Sequence, residues 1–576
     1  MPRLHACLAN AASAARAAAP RRAPAAACAL AVVVLANAAM ARAQGGPTPP
    51  MPVPAGSGGV PVAQAAQEAQ VPPAELPFDL LEFEIEGNTV LPVVVVERAV
   101  TPQLGPQRGM AGVEAARAAL DQAYQQAGFL SVVVDIPEQR VDGGLVRLRV
   151  IEGRVDKLRI TGARYFSQGW IRDKLPALQP GSVPNFNEVQ QQIAGLNRTE
   201  DRRVQPVLRP GLTPGTIEAE LKVEDRLPLG ASIELNNRHA RDTVPWRLTG
   251  TVHYDNLFQR EHTLSISATT APENTAQARV LALNYGIPMA DGGAWLGYLV
   301  ISDSLVEPLG ASVIGKGNTL GLRRVLPLPA LGALNHGITL GVDYKNLKQN
   351  TTAGGDTIAS PLRYLPMSVD WNGSAADGRL SSQATVAMTF ALRSILQRTV
   401  GCVGLPADQF ECSRRNADGS FAVLRAELRP QWKLNASGWL LAGRLALQQA
   451  NGPLTSGEQY ALGGAETVRG YLESETSGDN AWLGSVELRS PNLAPRIGLG
   501  LTEAVASAYL DAAHAGLIDP AVGQLAAVNL AGAGLGIKLR LADRLEGAFD
   551  LAWPLRLTAN VLQRDPRLHA RVVLRF

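Results

Sequence analysis

Cysteine is scarce in this chain, with four in 576 residues, and aromatic residues reach only 5%. Charge is sparse as well: 18% of residues are Asp, Glu, Lys or Arg, and the formal net charge is +3. So small a balance gives no basis for a polyanion-binding surface, and no nucleic-acid partner is expected. The seven His are scattered, without the spacing of a metal site. There is no G-x-S-x-G elbow and no Cys/His pair arranged for nucleophilic attack. "GASVIGKGN" (310–318) has Gly310 and Gly315-Lys316 at phosphate-loop spacing, but Gly317 stands where Ser or Thr must reach magnesium. No enzymatic activity, cofactor or metal is expected.

Long apolar runs are missing too. "AAACALAVVVLA" (25–36), preceded by Arg16, Arg21 and Arg22, is too short to cross a bilayer, which takes about 20 residues. Followed by Ala41-Arg42-Ala43, it reads as the core of a signal peptide, residues 1–43, cleaved before Gln44. Cys7 and Cys28 leave with it. Cys402 and Cys412 remain, close together in a Gly/Pro-containing loop of an exported chain. That context favours a disulfide over a metal site, with a free pair as the alternative.

What the chain does have is glycine (56) and proline (39), hence many turns. Residues 44–77 form a Pro/Gly-rich linker, in which 62–70 has the makings of a short helix or of a disordered tail. Two copies of a repeat of about 75 residues follow, 78–154 and 155–227. "FEIEGNTVL" (83–91) opens the first and "LRITGARYF" (158–166) the second, with Gly87 and Gly162 in matching places. Helical periodicity comes next in each copy, through Val113, Ala116, Leu120 and Tyr124, and through Val189, Ile193 and Leu196. Alternating strands at 145–153 and 217–225 close them. These are two small α+β domains.

From 228 to 576 the pattern is strand after strand with an apolar row opposite a polar or small one. "HTLSISATT" sets Leu264 and Ile266 against Thr263, Ser265 and Ser267; "ITLGVDYK" and "LEGAFDLAW" do likewise. A soluble sandwich and a membrane barrel share this periodicity. The length without a domain break, connections alternating short and long, and seven of the eight Trp favour a barrel of about sixteen strands. The terminal "LHARVVLRF" ends with Phe576 on the apolar row, where an aromatic side chain closes a barrel at the membrane interface. The expected fold class is mainly β: a transmembrane barrel preceded by two α+β domains.

One long loop, "ALGGAETVRGYLESE" (461–475), suits neither strand nor helix. It places Val468-Arg469-Gly470-Tyr471 after the eleventh expected strand. Two repeats, the barrel and this tetrapeptide together resemble the two-partner secretion transporters, the haemolysin secretion/activation family, whose repeats are called POTRA domains. The resemblance covers about residues 78–576. It implies that the loop folds back into the barrel and that Arg469 pairs with an aspartate of a D-x-G motif two strands onward. "SAYLDAAHAG" (507–516) supplies Asp511, with Ala513 in place of the motif glycine. The family's plug helix has only the short 62–70 as a candidate.

The implied function is secretion through the barrel of a large, β-rich exoprotein, captured unfolded in the periplasm by the POTRA domains. The implied partners are that exoprotein, outer-membrane lipid and the barrel assembly machinery, and the implied signal for assembly is Phe576. The alternatives are a factor that inserts membrane proteins and a passive porin or adhesin.

Overall fold

The computed structural model describes residues 78–304, 316–353, 356–402, 405–542 and 544–576. The signal peptide, the linker and the candidate helix at 62–70 lie outside the described residues.

The two repeats have the same topology. In the first, strands Glu82–Glu86, Leu145–Glu152 and Val132–Asp135 form a sheet in that order. The first pair is parallel and the second antiparallel. Helices Val93–Val100 and Gly109–Gln126 cover one face. Val113, Ala116, Leu120 and Tyr124 recur every three or four residues along the second helix, so all four meet the sheet and are fully buried. The second repeat orders Arg154–Thr161, Thr216–Asp225 and Arg202–Pro210 alike, under helices Gln168–Asp173 and Phe186–Leu196. The matching glycines have one physical cause. Gly87 and Gly162 take φ of 91° and 86°, a region that suits only glycine. A Cβ on either would strike the carbonyl oxygen of the closing strand, Val150 in the first copy and Val223 in the second.

The remaining strands close into a barrel from Leu229–Asn236 to Arg567–Arg575, which pair with each other antiparallel. Seventeen strand segments make up the ring. Two of them, Asp356–Tyr364 and Met367–Ala376, pair with successive parts of the same neighbour, Leu334–Ala353, and are halves of one strand broken at Leu365-Pro366. Counted so, the barrel has sixteen strands. Apolar rows face outward: Ile266, Leu281, Ile301, Leu320 and Leu510 are all more than 40% exposed. Polar rows face the lumen, and Asp511, next to Leu510, is wholly buried. Leu568, Leu574 and Phe576 are exposed on the apolar row, and the Phe576 amide donates to the Ala231 carbonyl across the seam.

Connections at one end are short, such as 258–261 and 332–333. At the other end they are long, notably 391–421 and 451–479. Loop 391–421 does not stand away from the barrel. Its helix Gln409–Ser413 buries Phe410 against Tyr364 and Phe421, and Cys402 is disulfide-bonded to Cys412.

Candidate functional site

Loop 451–479 starts and ends as a small hairpin, Tyr460–Leu462 with Thr476–Gly478. Gly463 and Gly464 turn it at φ of 106° and 101°, and Thr467 Oγ1 accepts the Gly463 amide at 2.8 Å. The tip then descends into the lumen. Val468 and Tyr471 are fully buried there, Val468 in a cluster with Leu483, Ala513 and Leu530.

Arg469 lies between the twelfth strand, Asn480–Arg489, and the thirteenth, Leu501–Gly516. Its Nε donates to Asp511 Oδ2 at 2.8 Å and its Nη2 to Oδ1 at 2.9 Å. The planar guanidinium thus meets the carboxylate through two parallel bonds, the strongest geometry available to such a pair. The Arg469 amide adds a third bond to Oδ2 at 3.1 Å, and Ser485 Oγ a fourth, to Oδ1 at 2.6 Å. Asp511 therefore has its acceptor capacity filled and no exposed surface. Arg469 Nη1 reaches Glu487 Oε2 at 3.0 Å and lies 3.8 Å from Asp550 Oδ1. Its guanidinium carbon sits 3.2 Å from the centre of the Tyr509 ring, a cation–π contact.

The neighbouring residues fix the tip. Gly470, at φ 98°, packs against the backbone of Trp553 and Pro554, and its amide donates to His569 Nε2 at 3.0 Å. The Tyr471 hydroxyl is 2.7 Å from the Arg556 carbonyl and 3.0 Å from that of Ala531. Gly532, on the fourteenth strand (Ala527–Leu541), leaves room for the loop: a Cβ there would strike the Arg469 carbonyl oxygen. Gly534 does the same for the Tyr509 ring.

Two further anchors hold the base of the loop. Glu458, 1% exposed, accepts from Lys345 Nζ at 2.6 Å and Tyr364 Oη at 2.8 Å, and the Arg425 guanidinium lies 3.7 Å away. Asp479, fully buried, accepts from Arg414 of the disulfide loop at 2.8 Å. It also accepts from the amides of Leu454 and Ile518.

The structure thus places Val468, Arg469, Gly470, Tyr471 and Asp511 together. Ala513 is 2% exposed and packs into the Val468 cluster, so its methyl is accommodated where the motif has glycine. Cys402 and Cys412 lie in the other loop, and Phe576 at the short-connection end. Ser485, Glu487, His569, Gly532, Glu458 and Asp479 went unnoticed in the sequence. Only the polar row of "SVELRS" and the small-residue run "AGAGLG" hinted at any of them. This set of buried ion pairs and hydrogen bonds can fix a loop across a pore. Among the described residues, no group of His, Cys, Asp and Glu is arranged to hold a metal ion.

Two stretches of the chain match known families. Residues 370–539, which include Arg469 and Asp511, match the family model of the haemolysin secretion/activation proteins ShlB/FhaC/HecB. Residues 78–153 match the ShlB-type POTRA domain. The family likeness is to the haemolysin secretion/activation proteins. The outer membrane transporter CdiB of Dickeya dadantii is 26% identical over 370 residues, covering 62% of either chain. The CdiB transporter of Escherichia coli O6:K15:H31 is 23% identical over 70% of this chain and 67% of its own. Among solved structures, CdiB from Escherichia coli has the same fold at a TM-score of 0.61 and 19% identity, over 89% of this chain and 93% of that one. BamA from Haemophilus ducreyi, lacking POTRA domains 1–3, shares the fold at 0.52 and 14% identity, over 87% and 100%. The chain is an outer-membrane barrel with its POTRA end in the periplasm.

Proposed function

We propose that this protein is the transporter half of a two-partner secretion pair. Its POTRA domains capture an unfolded exoprotein in the periplasm, and its barrel exports it. The observation that carries this reading is the buried Arg469–Asp511 pair, which holds a long loop inside a polar lumen rather than outside it. A passive porin has no need of so well satisfied a loop anchor. Capture is argued from the repeats, whose sheets have edge strands that an extended chain can join through main-chain hydrogen bonds. With no nucleotide-binding loop in the sequence, directionality falls to folding of the cargo outside, worth about 5–15 kcal/mol per domain. Phe576 is assigned to barrel assembly, with lipid and the assembly machinery as partners in that step.

The fold shared with BamA favours a second reading, an assembly factor for other barrels. Production of the protein together with a candidate β-rich exoprotein, in cells lacking both, separates the two. Export predicts exoprotein in the medium only when both are present. An unchanged medium with altered amounts of other outer-membrane proteins would favour the assembly factor.

A further inference from the structure

The bonds that hold loop 451–479 in the lumen run from Lys345 on strand 7 to His569 on strand 16, and on to Arg238 and His239 just after the first strand. In a ring of sixteen, the strands opposite the Arg469 site (12 and 13) are the fourth and fifth. These are Ala278–Pro288 and Ala294–Ser304, next to the third, His262–Thr270. Their lumen rows follow from the pairing register, in which Thr269 faces Val280 and Val280 faces Ser302. From Thr263 to Ser304 those inward positions hold Ser, Thr, Asn, Tyr, Gly, Pro and aliphatic residues, and no charged one. The braced wall is the reverse: Arg425, Glu427, Arg444, Glu487, Asp511 and Asp550 all face inward there. On the fifth strand Ser302, 4% exposed, has a hydroxyl with no hydrogen-bond partner among the described residues.

We propose that the exported chain runs in extended form along this uncharged wall of strands 3 to 5, opposite the Arg469 anchor. The proposal rests on the export reading above. Hydroxyl and amide side chains exchange hydrogen bonds with any peptide backbone, whatever its sequence. A wall without charge offers no ion pair on which a moving chain would stall. The segments it carries most readily are rich in Ser, Thr, Asn and Gly and low in charge.

The test uses the full chain in proteoliposomes, with a single cysteine replacing Ser265, Asn284 or, on the braced wall, Thr385. The native disulfide stays in place, and heat-modifiable migration confirms the barrel. The probe is an unstructured synthetic peptide of Ser, Thr, Asn and Gly with one cysteine, long enough to span the bilayer and added on the POTRA side. With copper–phenanthroline added as the oxidant that couples the thiols, disulfide adducts at Ser265→Cys and Asn284→Cys should exceed those at Thr385→Cys by about tenfold. Equal trapping, or preference for Thr385→Cys, overturns the path and leaves the export reading standing. No adduct at any of the three positions overturns the export reading itself. Ser265→Arg and Asn284→Arg should in addition slow secretion of the exoprotein in cells, and secretion at the unaltered rate counts against the path.

Discussion

Arg469 and Asp511 are 42 residues apart and bonded through three separate contacts. Removing one member of a fully buried pair costs about 3–5 kcal/mol, and a hydrated lumen lowers that figure. Arg469→Ala and Asp511→Ala should therefore release the loop while leaving the barrel assembled, and reduce secretion at least severalfold. The reciprocal exchange, Arg469→Asp with Asp511→Arg, should recover part of the loss in a double-mutant cycle. Single variants that secrete normally would leave the pair without a role. Gly532→Ala offers a test without any change of charge. Its methyl would occupy the space of the Arg469 carbonyl, so it should resemble Arg469→Ala, with the loop exposed to protease. Gly484→Ala, where a Cβ meets nothing within 4 Å, should behave as wild type. The Arg469–Asp511 contact was legible only through the family resemblance. Ser485 and His569 were not legible at all, because each meets the loop from a strand whose own alternation says nothing of what lies across the lumen.

Among the elements, the two N-terminal repeats share a constraint visible as Gly87 and Gly162. Alanine at either position meets both a positive φ and a carbonyl oxygen, so each substitution should cost more than about 1 kcal/mol. Thermal unfolding of the pair 78–227 should show a midpoint lowered by several degrees; an unchanged midpoint would remove the explanation. The disulfide loop departs further from expectation. Its sequence, with Pro and Gly among charged residues, reads as a remote external connection, yet Phe410 and Arg414 turn inward and Arg414 meets Asp479. The amphipathic signal is lost because the helix Gln409–Ser413 is only five residues long. Arg414→Met should strand the Asp479 charge and loosen the base of loop 451–479. Planar-bilayer recordings should then show more frequent openings, whereas wild-type gating would mean that the disulfide loop is only a cover.

The whole molecule was the most legible level. Strands with one lipid face and one wet face declare themselves by alternation, and sixteen of them fill the length available. The break at Leu365-Pro366 preserves that count because both halves pair with one neighbour. What the sequence withheld is the asymmetry of the lumen, charged and braced on one side, uncharged on the other. Alternation assigns a residue to the inner face but not to a place around the ring.

The balance of charge around Arg469 has an electrical consequence. One guanidinium bonds Asp511 and Glu487 and lies near Asp550, so in the resting lumen it offsets one of these three carboxylate charges. Withdrawal of the loop takes the cation away and leaves the carboxylates on the wall. The pore should then favour cations, as rings of Asp and Glu do in channels. Under a salt gradient the reversal potential would report the position of the loop, with no cargo present. Arg469→Ala should fix it at the cation-selective value, and Arg469→Ala combined with Asp511→Ala should bring it back toward zero.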